Sequence, residues 1–246
     1  MKPVYLRPQS MEDRITHYCP GCHHGIIHRL IGEVIDELGI RGKTIGVAPI
    51  GCSVFIYAYF KLDFVVTPHG RAPAAATGIK RSLPSDRIVF TYQGDGDLAS
   101  IGLAEIIHAA NRGENITSIF VNNANYGMTG GQLAPTTLLG QITTTSPYGR
   151  KIAVDGYPFH IAELMSNFKG VAYSGRFAVY DPKKIISARK AIKTAFKNQM
   201  EGKGFSIVEL LSNCPINWRV SVSDSIKFVK ENMEAEFPLG VFKGGE

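Results

Sequence analysis

The spacing of apolar and polar positions changes most sharply between Ile88 and Asn123. Ile88-Val89-Phe90-Thr91-Tyr92 is an apolar, β-branched and aromatic run, the composition of a buried strand. Gln93-Gly94-Asp95-Gly96-Asp97 interrupts it. From Leu98 to Ala110 the apolar residues recur at helical spacing (Leu98, Ile101, Leu103, Ile106, Ile107, Ala110). Asn111-Arg112-Gly113 ends that helix, with Gly113 suited to a left-handed C-cap. A second strand, Ile116 to Val121, runs into Asn122-Asn123. Strand, helix, strand is the βαβ unit of a parallel sheet, and its right-handed crossover brings both carboxyl ends to one edge. Asp95 and Asn123 are therefore expected to face each other across a crevice of the kind in which open α/β sheets bind ligands.

The rest of the chain extends this pattern. Residues 1–18 read as an extended arm, followed by Cys19-Pro20-Gly21-Cys22-His23-His24-Gly25. Ile26, Ile27, Leu30, Ile31, Val34, Ile35 and Leu38 form a helical stripe that Gly39 or Gly42 ends. A short strand over Lys43 to Val47 leads to Ala48-Pro49-Ile50-Gly51-Cys52-Ser53, with Cys52 at the turn. Phe55, Tyr57, Tyr59 and Phe60 suit a core or a subunit interface. A strand at Phe64 to Thr67 precedes His69-Gly70-Arg71, and a helix follows from Pro73 to Lys80. Residues 126–149 are too rich in glycine, threonine and proline for regular structure, and a long polar loop in a compact domain is usually functional or disordered. A helix over His160 to Phe168, one or two strands over Gly170 to Tyr180, and a strand from Phe205 to Leu211 follow. Between the last two lies an amphipathic helix with Asp181 as N-cap and Pro182 at its first position. Its basic face (Lys183, Lys184, Arg189, Lys190, Lys193, Lys197) suits solvent first and an acidic protein second. Asp224 to Asn232 reads as a helix. The expected fold is α/β, a mostly parallel sheet flanked by helices, with one domain over 1–215 and a tail over 216–246.

Composition narrows the class. The chain has 246 residues, 44% of them hydrophobic, and no apolar run near the ~20 residues a membrane helix needs. Met1 to Asp13 lacks the apolar core of a signal peptide, so a cytoplasmic protein is expected. In that setting Cys19, Cys22, Cys52 and Cys214 are expected to bind metal rather than form disulfides. The net charge of +6 is spread out, and no basic-aromatic motif for nucleic acid is present. A mild positive field suits an acidic protein or a polyanionic cofactor.

Two constellations carry chemistry. A carboxylate and an amide oxygen on rigid strand ends, Asp95 and Asn123, suit Mg²⁺, which takes oxygen ligands and shares its sites with phosphates. Gly94 and Gly96 allow a diphosphate to approach the backbone. The Cys19/Cys22 pair, with Cys52 and Cys214 each after a strand, can hold a [4Fe–4S] cluster or a structural zinc. Spacing alone weighs these two equally. A redox centre beside a catalytic crevice favours the cluster.

Gly94-Asp95-Gly96, twenty-five intervening residues and Asn122-Asn123 resemble the thiamine-diphosphate signature. The resemblance implies Mg²⁺ held by Asp95, Asn123 and the carbonyl of Asn125. Cys-Pro-Gly-Cys with His24-Gly25, Ile50-Gly51-Cys52-Ser53, His69-Gly70-Arg71, Tyr126 to Gln132 and Cys214-Pro215 before Asn217-Trp218 widen it. Together they resemble the β subunit of the 2-oxoacid:ferredoxin oxidoreductases from about Cys19 to Pro215. His23 stands where that family carries glycine, which takes positive φ more readily.

The resemblance implies a thiamine-diphosphate-binding fold, with Ile50, Gly51, Cys52, Ser53, His69, Gly96, Asp97, Gly127 and Met128 around the cofactor and Met128 in the substrate wall. It implies that Cys19, Cys22, Cys52 and Cys214 hold a [4Fe–4S] cluster. The implied reaction is oxidative decarboxylation of a 2-oxoacid with CoA, giving acyl-CoA and CO₂ and reducing ferredoxin. The substrate stays open among 2-oxoglutarate, branched-chain 2-oxoacids and pyruvate. Rival readings are a non-redox thiamine-dependent decarboxylase subunit with structural zinc, and a zinc-binding scaffold. Thiamine chemistry also needs a glutamate beside the aminopyrimidine. Glu33, Glu37, Glu105, Glu163 and Glu209 fall inside elements, and Glu114 falls in a turn away from the crevice edge. Only about thirty residues follow Cys214, too few for a second domain of at least ~50. The glutamate is therefore expected from an α subunit carrying a pyrimidine-binding domain. The aromatics from Phe55 to Phe60 and the loop from Gly130 to Gly149 are the candidate interface.

Overall fold

The computed structural model describes residues 6–245. Residues 1–5 of the expected arm lie outside them; residues 6–18 carry no helix or strand, only a bridge from Met11 to Phe60. Seven strands form one sheet: β1 Thr44–Ala48, β2 Asp63–Val66, β3 Ile88–Gly94, β4 Thr117–Asn122, β5 Val171–Ala178, β6 Phe205–Leu211 and β7 Gly240–Lys243. Their order is β2-β1-β3-β4-β6-β5-β7, parallel throughout except for β7, which is antiparallel to β5.

The two central strands are buried along their length, which is why their sequences run apolar rather than alternating. Neighbouring residues still part to opposite faces. Phe90, Tyr92, Ile119 and Val121 pack toward α1 (His24–Glu37), which meets α6 (Pro182–Met200) on that side. Val89, Ile116 and Phe120 pack toward α2 (Ala72–Ser82), α3 (Leu103–Arg112) and α5 (Ile161–Ser166). Between α3 and α5 stands the one-turn helix α4 (Ile152–Asp155). The C-terminal segment supplies α7 (Pro215–Trp218), α8 (Val222–Phe228) and a third cluster around Val229, Met233 and Phe237.

Several expectations hold in detail. Asp181 Oδ1 accepts the Lys184 N–H at 2.9 Å as N-cap of α6. Gly113 takes φ 64 as C-cap of α3. Others need correction. The expected continuous helix from Leu98 to Ala110 is a π-helical stretch, Gly96–Ile101, followed by α3; the Gly102 N–H bonds the Asp97 carbonyl at 2.8 Å across the break. Residues 170–180 give a single strand with a register shift between Val171 and Tyr173. The segment after Cys214 adds a strand as well as the expected helix, because Gly240–Lys243 closes the sheet edge beside β5. Tyr59 and Phe60 are buried, so only Phe55 and Tyr57 of the aromatic run are exposed. His23 sits at φ −75 and needs no positive φ; the turn between the two cysteines is made by Gly21 at φ +78. Part of the basic face of α6 is used internally: Arg189 and Lys193 pair with Glu33 and Glu37, and Lys184 with Glu234. Among the described residues, no helix is long and apolar enough to cross a membrane.

Candidate active site

Parallel strands deliver their carboxyl ends to one edge. Here that edge gathers Ile50 to Ser53 after β1, His69 after β2, Asp95 after β3, Asn123 after β4 and Cys214 after β6. A crevice there is lined by Ile50, Gly51, Cys52, Ser53, His69, Gly96, Asp97, Gly127 and Met128, together with His24, Gly94, Asp95, Asn123, Tyr126 and Thr129.

Asp95 is the hub. Its Oδ1 accepts the Gly96 N–H at 3.0 Å. Its Oδ2 accepts the N–H groups of Asn123 (3.2 Å) and Asn125 (3.1 Å) and the Thr136 hydroxyl (2.9 Å). Burial pushes the carboxyl up to about 7 even though these four donors pull the other way. A carboxylate so solvated by dipoles and yet so costly to ionise is suited to a cation. Ala124 curls the chain into the left-handed region at φ 55, strained for a non-glycine residue. The curl brings Asn123 Oδ1 to 3.3 Å from Asp95 Oδ2 and 2.8 Å from the Asn125 carbonyl. With its oxygen inward the amide would offer, together with Asp95 Oδ2 and the Asn125 carbonyl, three oxygens of the kind a hard divalent ion takes. Turned by 180°, the same amide donates to both neighbours, which satisfies the site when no cation is bound.

Asp97 looks the other way. Its carboxylate accepts from Gln93 Nε2 (2.6 Å) and the Gly70 N–H (2.8 Å), and lies 2.8 Å from His69 Nδ1. It thus ties the β2 and β3 ends together and fixes the His69 ring at the crevice wall.

All four cysteines, none of them in a disulfide, line a second cavity of about 210 Å³. Burial pushes the Cys22 thiol up to about 11 and Cys52 to about 12. Bound positive charge reverses such shifts, because the thiolate is the metal ligand. Among the described residues, no three His, Cys, Asp or Glu side chains are grouped tightly enough to share a single ion. The four thiols line one shared space. His24, Cys52, Asn123, Gly127 and Met128 line both cavities, so the two share a wall.

Sequence reasoning gave no site role to Thr136 or to the side-chain amide of Asn125, and it named His24 and Asn217 only as parts of the motifs beside the cysteines. Thr136 reaches the site by tertiary folding and carries no local signal. The six glutamates singled out from the sequence are all engaged elsewhere. Glu33 and Glu37 pair with α6, Glu105 with Arg71, Glu114 with Arg81 and Arg112, and Glu163 and Glu209 with Arg176. Among the described residues, no glutamate lines the crevice.

Residues 49–210 match the family described as thiamine pyrophosphate enzyme, C-terminal TPP binding domain. The chain is 50% identical over 252 residues to the ketoisovalerate oxidoreductase subunit VorA of Methanothermobacter thermautotrophicus, covering 98% of this chain and 53% of that protein. It is 42% identical over 228 residues to the 2-oxoglutarate synthase subunit KorB of Archaeoglobus fulgidus, covering 93% and 79%. The chain thus spans about half the length of the VorA proteins it matches. A solved 2-oxoglutarate:ferredoxin oxidoreductase from Magnetococcus marinus, with 2-oxoglutarate, coenzyme A and succinyl-CoA bound, superposes with a TM-score of 0.77 at 26% identity, over 100% of this chain and 87% of that one. With a cofactor-binding domain at the crevice and subunits of this kind matching nearly end to end, the chain belongs to the thiamine pyrophosphate enzymes and, among them, to the β-type subunits of the 2-oxoacid:ferredoxin oxidoreductases.

Proposed function

We propose that this chain is the subunit that holds thiamine diphosphate, Mg²⁺ and a [4Fe–4S] cluster in a complex that oxidatively decarboxylates a 2-oxoacid, with CoA as acyl acceptor and ferredoxin as electron acceptor. The observation that carries the reading is the wall shared by the crevice and the four-cysteine cavity, with Cys52 in both linings. When bound, thiamine diphosphate supplies the electron sink for loss of CO₂. The protein's part is to hold and orient. Asp95, Asn123 and the Asn125 carbonyl would hold Mg²⁺ against the diphosphate. Gly96, Asp97 and Gly127 would bind beside it, and Ile50 to Ser53 and His69 would flank the ring. Cys19, Cys22, Cys52 and Cys214 would hold the cluster. The reading implies a reducing, cytoplasmic setting.

Among 2-oxoacids, a branched-chain substrate fits best. Ile50 and Met128 are partly exposed at the crevice, and among the described residues no lysine or arginine lines it to meet a distal carboxylate.

An α subunit carrying the pyrimidine-binding domain would supply the activating glutamate. The purified chain alone is expected to show no 2-oxoacid decarboxylation. Adding that subunit should give ferredoxin reduction, with a branched-chain 2-oxoacid preferred to 2-oxoglutarate in kcat/KM. Turnover by the single polypeptide would place the glutamate within these 246 residues and overturn the division of labour.

A further inference from the structure

A row of polar side chains crosses the sheet face that packs toward α5. Arg176 of β5 lies directly opposite Glu209 of β6, and Glu209 opposite Phe120 of β4. Asn122 is therefore the diagonal neighbour of Glu209 on the same face. All three polar residues are fully buried. Arg176 Nε lies 3.0 Å from Glu209 Oε2 as an ion pair. The other end of its guanidinium holds Glu163 of α5 through both Nη atoms. The Ala162 N–H donates to Glu209 Oε2 at 3.2 Å, and Asn122 Nδ2 donates to Glu209 Oε1 at 2.8 Å. A buried ion pair seldom stabilises more than apolar residues of the same size, so its place in this core needs another reason.

The row ends at the candidate metal ligands. Asn122 Oδ1 accepts the Ala124 N–H at 3.2 Å, an Asx turn that supports the left-handed curl at Ala124. The neighbouring N–H groups, of Asn123 and Asn125, go to Asp95 Oδ2, the carboxylate a cation would share. The Ala124 N–H is held instead by a group that stands clear of the cation. Thr137 Oγ1 and Gln141 Nε2 hold the carbonyl of the same residue. An asparagine amide can face either way, whereas a carboxylate only accepts. Glu209 therefore fixes Asn122 with its NH₂ toward β6 and its oxygen toward Ala124.

We propose that Glu209 is a positioning residue for the Mg²⁺–thiamine diphosphate site. Backed by Arg176, it sets the orientation of the Asn122 amide, and through it the curl that presents Asn123 and the Asn125 carbonyl to the cation. The inference rests on the Mg²⁺ and cofactor assignment proposed above. It adds a line of polar contacts that runs from α5 across β5 and β6 to the metal ligands on the end of β4. Residues that orient metal ligands without touching the metal typically change its affinity by about 10–100-fold.

The test reverses the donor and acceptor roles along this line. In Glu209→Gln, Arg176 and the Ala162 N–H claim the new amide oxygen, so its NH₂ meets the Asn122 NH₂. Asn122 must then turn and lose the Ala124 bond. Asn122→Asp sets two buried carboxylates against each other. The two changes together restore every bond with roles exchanged: the glutamine donates, and the aspartate accepts from it and from Ala124. Thiamine diphosphate binding to the assembled complex is measured by calorimetry with and without Mg²⁺, beside the thermal midpoint. Each single variant should lose about 10-fold or more of the Mg²⁺-dependent affinity, and the double variant should recover most of that loss. Folded single variants that bind as wild type, with only a lowered thermal midpoint, would make the row purely structural and overturn the proposal. A folded double variant that binds no better than the single ones overturns it as well. If Glu209→Gln does not assemble, Asn122→Ala, which removes the Ala124 bond without adding charge, is judged by the same affinity criterion. Wild-type complex whose cofactor binding ignores Mg²⁺ would refute the metal assignment itself, and the inference with it.

Discussion

At the scale of single residues, the site turns on what a buried carboxylate needs. Asp95 gathers four donors, yet burial still pushes its carboxyl up to about 7, and a divalent cation is the natural complement. Asp95→Asn keeps the shape and removes the charge. It should weaken Mg²⁺-dependent thiamine-diphosphate binding by roughly 100-fold or more, the equivalent of about 3 kcal/mol. The cysteine-bound chromophore should stay intact. Calorimetry showing wild-type affinity would remove Asp95 from the cofactor site. Asp95 and Asn123 were legible because each follows a strand whose period is plain, and a βαβ crossover fixes their relative placement. Thr136, which also reaches Asp95, was not legible. It stands in a loop without periodicity, and only the folded path of that loop brings it there. His23 replaces the family's glycine without cost to the backbone, because Gly21, two residues earlier, makes the bend.

At the scale of elements, the strands and long helices follow their sequence periods, and the departures fall where tertiary contacts override them. The π-helical stretch Gly96–Ile101 lies directly after the candidate metal ligand. β7 is a short, partly exposed edge strand whose four residues carry no alternation to read. The loop after Asn125 is the largest departure. It reads as structureless, yet one side chain organises it. Arg150 is buried, and its five N–H groups reach six backbone carbonyls, two of them sharing a hydrogen of Nη1: Ala134, Pro135 and Thr137 on one side, and Asp155, Gly156 and Tyr157 on the other, at 2.8–3.1 Å. These bonds clamp the segment that carries Thr136 to Asp95. Bonds from a charged donor contribute about 1.5–3 kcal/mol each, and losing them strands buried carbonyls. Arg150→Met should therefore open the loop locally. Limited proteolysis should cut within residues 134–157 well before the rest of the chain, and thiamine-diphosphate affinity should fall about 10-fold or more. A protease pattern and affinity equal to wild type would show that the loop is held by other means.

At the scale of the whole molecule, the sheet is a platform that gives one edge to chemistry and leaves apolar surface beside it. Phe55 and Tyr57 are exposed near the crevice. So are Ile142, Tyr148, Val154, Tyr157 and Phe159 along the Arg150 loop, an exposed apolar stretch that extends past the interface expected from sequence. With no glutamate among the described residues lining the crevice and this much apolar surface beside it, the chain is suited to being covered by a partner. The parallel order of the strands was readable because central strands buried on both faces write continuous apolar runs. The meeting of the four cysteines was only partly readable. Cys19 and Cys22 declare each other by spacing, whereas Cys52 and Cys214 join them through strand ends separated by most of the chain. The central claim is that those four thiols hold a [4Fe–4S] cluster against the thiamine crevice. Iron and acid-labile sulfide analysis of the anaerobically purified chain tests it most directly. The account predicts about four irons and about four sulfides per chain, lost when Cys214 is replaced by alanine. One zinc per chain with no sulfide would contradict it.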